Sequence, residues 1–522
     1  MTINMTFKTI KYQLALVFNL TVVLFAFTAS AQNKSQTRSI ILMFDGLRPD
    51  YVTPELMPNL YKLAKKGSYG KQHHSVFPTV TRVNSASYAT GSYPATHGLM
   101  GNSVFFPEIN KTKGLNTGDA SELNRITEAT GNKLLTAVSL GEILQAAGQK
   151  LMVFSSGTTG QAFLQNHKLS GGTIINPELI LPASFAAEVI TALGAAPAYA
   201  KPNAGRHRWV TDAFFKYGLT TDGPLVSAIW YSDPDASAHS YGIGSPEAVA
   251  SIRIVDGELG RILERLETKN LTDSYNIVIA TDHGFVTHTG TEGLADYLIK
   301  QGVKKDKDSE DVVVVGGSIY VQNKDPEVIK KVVTLLQANE SSGAIFTQGK
   351  KADDLKGFIE GTLSFESIHW NHPSRVADIL VAENWDNRQN GAGYQGTDFA
   401  QGVAGHGGSS PYEIHIPLIA SGPSFKKAFE GELPTSNVDI VPTILHLHGI
   451  SIPKQMDGRV MTELFINSSV PKKDAVKKQT IETQVKNAWG TYQVTLERSV
   501  LGKYNYVNFT KVTRTILKTE NK

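Results

Sequence analysis

The sequence predicts an α/β fold: a mostly parallel central sheet with helices on both faces, cap insertions over one edge, and a C-terminal β extension. Three observations predict it. Short, continuous apolar runs alternate with amphipathic stretches, as strands do when crossover helices cover both faces of their sheet. Carboxylate and imidazole side chains stand just past the ends of those runs, at the edge where such sheets carry their sites. The chain is long, at 522 residues, and 41% hydrophobic against 19% charged. That composition supplies a large core and excludes a disordered, collagenous or coiled-coil protein.

The first segment reads as an export signal. Lys8 and Lys11 precede the apolar run Leu14 to Phe27, and Ala29-Ser30-Ala31 supplies small residues at a cleavage site before Gln32. The run is short for a membrane span, and no later stretch approaches that length. The expectation is an exported protein, periplasmic or secreted, with no stable membrane insertion after cleavage. Residues 1–31 contain two lysines and no acids, so the rest carries 49 basic against 48 acidic residues. So small a basic excess argues against a nucleic-acid polymer as partner. Cysteine is absent, which excludes a disulfide framework, a thiolate metal site and a cysteine nucleophile. Nothing in the sequence encodes an oligomeric state.

The expected catalytic domain spans residues 32–467. Its strands are Ser39–Phe44, Lys150–Phe154, Leu225–Tyr231, Asn276–Ala280 and Pro417–Ala420, with helices at Met57–Lys66, Leu135–Ala147 and Pro246–Glu267. Residues 103–135, 160–224 and 340–402 interrupt the alternation and are expected to form caps over the site. Residues 468–522 form the extension. It alternates through Tyr492–Leu496 and Tyr504–Val512, with Leu501-Gly502-Lys503 as a turn.

The ligand candidates follow the strands. Asp45 ends the first. Asp235 and His239 follow the strand at 225–231, and their four-residue spacing places both on one face of a helical turn. Asp282 and His283 follow the strand at 276–280, and Gly284 permits the tight turn that lets adjacent side chains converge. His406 stands between glycines, eleven residues before Pro417. These are hard or borderline ligands suited to Zn²⁺ or a similar divalent ion. Taken singly, each has an ordinary reading as a turn, a cap or a loop residue. His73, His74, His446 and His448 lack a partnering carboxylate pattern, and the last two lie in an apolar helical stretch. The segment Phe77-Pro78-Thr79-Val80-Thr81 runs from an extended loop into a helix of small residues. A hydroxyl there meets oriented N–H groups and the positive end of the helix dipole, which favour an alkoxide or a phosphoryl oxygen. Thr79 or Thr81 has the alternative reading of a helix cap.

As an ordered set these pieces resemble the alkaline phosphatase superfamily, and most closely its type I phosphodiesterase/nucleotide pyrophosphatase branch. The resemblance rests on Ile40 to Gly46, Met57-Pro58-Asn59-Leu60, Phe77 to Thr81, Thr90-Gly91 through Gly98, Asn102, the Asp235/His239 loop, Thr281 to Gly284, Gly405-His406-Gly407, Asn437 to Thr443 and Asp457-Gly458-Arg459. It implies an alkaline-phosphatase-like fold and two divalent metal ions per chain, Zn²⁺ by the family's pattern. It implies Thr81 as nucleophile and metal contact, with Asp45, Asp282 and His283 on one metal and Asp235, His239 and His406 on the other. Asn102, with the Thr81 backbone N–H, would hydrogen-bond a phosphoryl oxygen. The implied reaction is in-line attack on a small phosphate ester and hydrolysis of a phosphothreonine, with cations about 4 Å apart facing the entering and leaving oxygens.

The chain departs from the branch in places. An aromatic residue usually follows the nucleophile; Arg82 stands there, where it either binds a second anionic group or pairs at the surface. Related monoesterases carry a Lys-x-Arg pair where this chain has Ser155 to Gln161, which argues against monoesters; Arg206 and Arg208 are possible substitutes. A phosphomonoesterase, a phosphonoacetate-type hydrolase, a phosphoryl transferase to a surface acceptor and a non-catalytic binding protein stay open as alternatives.

Overall fold

A computed structural model describes residues 37–469 and 475–517. The signal-peptide reading of residues 1–31 lies outside the described residues. Among the described residues no helix is long and apolar enough to cross a membrane.

The central sheet has ten strands. They are β1 (Arg38–Phe44), β2 (Ser68–His74), β3 (Leu151–Ser155), β4 (Thr173–Asn176), β5 (Leu179–Leu181), β6 (Val226–Tyr231), β7 (Tyr275–Ala280), β8 (His415–Ser421), β9 (Phe429–Gly431) and β10 (Thr435–Ser436). Their spatial order is β9-β2-β8-β7-β1-β6-β3-β4-β5, with β10 also on β2. β1 sits between β6 and β7, parallel to both. Two strands run against the rest: β5 at one edge, and β8, antiparallel to both β7 and β2. The sequence run at 417–420 therefore is a buried strand, but a reversed one. An apolar run records burial on both faces and carries no direction.

β1 shows how the sheet splits the core. Its alternate residues Ile40, Leu42 and Phe44 join one apolar cluster, with Ile252, Val255 and Leu259 of helix Pro246–Thr268. Ile41 and Met43 join the other, with Ala86 of helix Thr81–Thr90 and Leu144 of helix Leu140–Ala146. Side chains of a strand alternate between faces, so a wholly apolar strand needs a helical layer on each. Helix Leu140–Ala146 begins later than periodicity suggests, because Ser139 and Glu142 form a capping box.

Residues 173–181, expected within a cap, instead contribute β4 and β5 to the central sheet. The segment 103–135 holds a two-stranded ribbon and helix Ala120–Ala129. The segment 340–402 contributes to a five-stranded and a four-stranded sheet. The tail forms an antiparallel three-stranded sheet of Val476–Asn487, Gly490–Leu501 and Tyr504–Ile516. Gly502, at φ 61°, turns the last two strands. This sheet packs onto the loops at Trp385 and Ser409. The Thr510 N–H donates to the Ser409 carbonyl at 3.0 Å, and Trp385 Nε1 donates to the Thr510 carbonyl at 2.6 Å.

Candidate active site

Four loops at the carboxyl ends of β1, β6 and β7 and before β8 bring six side chains together. Asp45 follows β1, and its carbonyl accepts the Asp235 N–H at 2.9 Å, tying the first two loops. Gly46 allows this approach: at φ 74° its ideal Cβ would lie 3.0 Å from the Asp235 Cα. Asp235 opens helix Asp235–Tyr241 and His239 sits one turn on. Asp282 Oδ1 accepts the N–H groups of Gly46 and His283 at 3.1 and 3.0 Å, which fixes that loop. The reason for Gly284 differs from the turn expected. A Cβ there would lie 2.1 Å from the Tyr412 carbonyl oxygen, so close packing against the loop before β8 demands it.

The three histidines share one arrangement. Nδ1 of His283, His239 and His406 donates to the carbonyls of Gly284, Ala404 and Thr79, at 3.0, 2.9 and 2.8 Å. A carbonyl only accepts, so each Nδ1 carries the hydrogen and each Nε2 faces the site, where the neutral ring offers a lone pair. His283 Nε2 lies 3.0 Å from Asp282 Oδ2 and 3.6 Å from Asp45 Oδ1. His239 and His406 Nε2 lie 3.2 and 3.3 Å from Asp235 Oδ1. These same three carboxylate oxygens, Asp45 Oδ1, Asp235 Oδ1 and Asp282 Oδ2, are buried without a hydrogen-bond donor. Lone pairs facing anionic oxygens call for a cation between them, and histidines anchored through the far nitrogen are the usual support of metal sites. The donor set therefore fits divalent metal.

Charge repeats the point. Burial, then the nearby Asp282 and Asp235, push the Asp45 carboxyl well above its ordinary range. Burial would also raise Asp235, but His239 and His406 hold it well below. Burial, then His283, pushes His406 down to about 4. The donor atoms form two overlapping groups, each with its atoms within 4.8 Å of one another: Asp235, His239 and His406; and Asp45, Asp235 and His283. Asp235 belongs to both, whereas the resemblance assigns Asp282 with Asp45 and His283. Asp282 still reaches the site through Oδ2.

Thr81 is the first residue of helix Thr81–Thr90, after Val80. It makes no capping hydrogen bond. Its Oγ1 instead lies 3.2 Å from His283 Nε2. Thr79 points away and donates to the Gly408 carbonyl at 2.7 Å. Asn102 Oδ1 accepts the Arg82 N–H at 3.0 Å, which leaves the Asn102 Nδ2 hydrogens for an oxygen in the pocket. Thr81, Arg82, Asn102, Asp45, Asp235, His239 and His406 share one cavity of about 480 Å³.

The other histidines have structural partners. His73 bonds Thr435 and Asn437, His74 bonds the Thr435 carbonyl and Asn508, and His448 Nε2 lies 2.9 Å from Ser39 Oγ. Sequence reading missed the cap-side wall. Tyr199, Lys201, Gln161 and Glu178 line the cavity with Arg206. Arg206 pairs with Glu178 at 2.8 Å and stacks on Tyr199. Buried His207 and Asp233, 2.9 Å apart, brace the start of the Asp235 helix, where Asp233 Oδ1 accepts the Ser237 N–H. Arg208 does not line the cavity. Only the Arg206–Arg208 cluster signalled this wall in the sequence.

Comparison with known proteins decides the family. Residues 39–402 match the family model of type I phosphodiesterase/nucleotide pyrophosphatase. The chain belongs to that family. It is thus a phosphoric ester hydrolase of a metal-dependent family. It is similar to a bis(5'-adenosyl)-triphosphatase of Xenopus laevis, 24% identical over 80% of this chain and 79% of that protein. It is also similar to human ectonucleotide pyrophosphatase/phosphodiesterase family member 5, 24% identical over 85% of this chain and 81% of that one. The solved murine member 5 shares the alkaline-phosphatase-like fold, with TM-score 0.58 and 19% identity over 82% of this chain and all of that chain. An inactive variant of the murine protein, with TM-score 0.57 and 20% identity over 80% of this chain and 96% of that one, was solved with AMP.

Proposed function

We propose that the protein is an exported two-metal phosphodiesterase in which Thr81 attacks phosphorus. The observation that carries this reading is the convergence of the Thr81 hydroxyl, three inward-facing Nε2 atoms and three donorless carboxylate oxygens at the base of the cavity, with Asp282 and His283 behind its lining. Asp45, Asp282 and His283 would hold the ion nearer Thr81, and Asp235, His239 and His406 the other. Asp235 stands in both donor groups and would be shared between them. The mixed nitrogen and oxygen donors favour zinc. Bound divalent ions lower the hydroxyl pKa and neutralise charge on the entering and leaving oxygens.

The chain's own residues do the rest. Thr81 Oγ1 forms a bond to phosphorus as the bond to the leaving ester oxygen breaks, and the hydroxyl proton leaves to solvent. Asn102 Nδ2 and the Thr81 N–H hydrogen-bond a non-bridging oxygen, at the positive end of a helix. Water then attacks phosphorus and Thr81 Oγ1 departs, taking a proton. Arg82, at the pocket wall, takes an anionic group of the substrate. The substrate class is a small phosphate ester, as in the relatives named for nucleotide substrates. Residues 1–31 would serve export, residues 32–467 catalysis and residues 468–522 support of the loop at 405–410. The segment 160–224 supplies the pocket wall through Tyr199, Lys201 and Arg206.

The test is hydrolysis of bis-p-nitrophenyl phosphate against p-nitrophenyl phosphate by zinc-loaded protein, beside Thr81→Ala. The expected result is diester preference that vanishes in the variant. A monoester preference would replace this reading with a phosphomonoesterase.

A further inference from the structure

Asn102 and His406 wall two cavities. One carries Arg82, Lys201 and Arg206. The other, of about 300 Å³, begins at Val80, one residue from Thr81. Its walls are largely apolar, with Phe77, Met100 and Leu380, and its charged residues beyond His406 are Glu383, Asp398 and His288. No lysine or arginine among the described residues lines it. The first cavity thus mixes arginine and lysine with acids, Arg206 being paired with Glu178, whereas the second offers acids and no arginine or lysine.

Within the second cavity the acids are not equivalent. Asp398 Oδ1 is already engaged, with His288 Nδ1 at 2.6 Å and the Ala400 N–H at 3.1 Å. The partly buried Glu383 carboxylate makes no hydrogen bond or ion pair among the described residues. The carboxylate oxygens face the largely apolar cavity without a counter-charge, and a cationic donor in the cavity would supply one. Burial, then Asp398 and Glu413, raises Glu383 to about 7, the same deficit of positive charge seen from another side.

We propose that this cavity receives the second ester arm of the substrate and selects a short alkyl arm ending in a protonated amine, against an anionic arm. With phosphorus at Thr81 and Asn102, one arm runs toward Arg82 and the other past Val80 to Glu383. An arm carrying further phosphates meets donors on the first side and carboxylates on the second. The inference rests on the phosphodiesterase reading above and specifies its substrate class.

The test compares zinc-loaded protein on 2-aminoethyl p-nitrophenyl phosphate and on n-propyl p-nitrophenyl phosphate, which differ only by an ammonium in place of a methyl group. The aminoethyl ester should have a kcat/KM at least about tenfold higher, the effect of one charge-assisted hydrogen bond. Glu383→Gln should bring that ratio to within about twofold of one. A ratio near one in the parent, or a preference that survives Glu383→Gln, overturns the proposal. Binding of the same two esters to zinc-loaded Thr81→Ala, measured by calorimetry, asks the same question without turnover. If neither ester is hydrolysed but the tenfold binding preference is present, the hydrolase reading fails and the amine subsite stands. Equal affinities overturn the subsite whatever the activity.

Discussion

The two halves of the proposed ligand set carry the same donor types on different construction. In one half, the Asp282 and His283 side chains are fully buried, and Asp45 is nearly so. Their polar atoms are held by groups that cannot move: two backbone N–H groups on Asp282, and the Trp230 indole on Asp45 Oδ2 at 3.0 Å. In the other half, the His239 side chain is 42% exposed and Asp235 17%. One helical turn and one glycine-flanked loop hold those donors, and no backbone donor reaches Asp235 Oδ1. Asp45, Asp282 and His283 are therefore part of the core, whereas the second half is split: His406, at 5%, is as buried as Asp45, and His239 reaches the surface. On the proposed reading, the attacking hydroxyl lies beside the more buried half, and solvent reaches His239 on the other.

The largest expected effect tests whether Thr81 belongs to the site at all. Thr81→Ala should lower kcat by roughly 10³-fold or more, the loss typical of a missing nucleophile. Metal content measured by elemental analysis should stay close to that of the parent, because the six side-chain ligands are intact. Retained turnover would remove Thr81 from its role.

The next pair breaks the comparison directly. Asp282→Ala removes the acceptor of two buried N–H groups and the carboxylate 3.0 Å from His283 Nε2, so it should cost about 2–4 kcal/mol of unfolding free energy in addition to metal. His239→Ala should lose metal and rate with a stability change of about 0.5 kcal/mol or less, as for an exposed side chain. Metal-free proteins compared by denaturant unfolding separate the two. Equal destabilisation would mean that the halves are not built differently. A finer cut is Trp230→Phe, which deletes the indole donor to Asp45 without touching a ligand. Metal affinity should fall roughly tenfold, and a zinc titration should show one weakened site beside one unchanged.

The buried half was also the more legible one. Asp45, Asp282 and His283 stand within one to three residues of apolar strands, so locating the strands places these side chains at one edge of the sheet. Asp235 and His239 were legible through one helical spacing, and His406 only as part of the set. The reversed direction of β8 was not legible, since burial on both faces reads the same either way. The cap-side wall was not legible either. Tyr199, Lys201 and Glu178 come from a segment whose β4 and β5 belong to the central sheet, and no spacing rule links them to Arg82. The second cavity draws on residues as distant as Val80 and Asp398, which only the folded chain brings together.

The smallest expected effect concerns Glu383, on the side of the site opposite Arg82. Burial and two neighbouring acids raise its carboxyl from an ordinary 4.5 to about 7 in the folded chain. The folded protein then holds a proton there that the unfolded chain has released across that interval. Stability contributed by the neutral carboxyl is present below pH 4.5 and is lost as pH rises through 7. Glu383→Gln mimics the neutral form at every pH. The variant should match the parent near pH 4.5 and exceed it by roughly 1–3 kcal/mol at pH 8. Unfolding free energies of the metal-free proteins at both pH values check this. A gap that does not widen with pH would place Glu383 in contact with water or with a donor, and would also remove the charge deficit on which its selectivity depends.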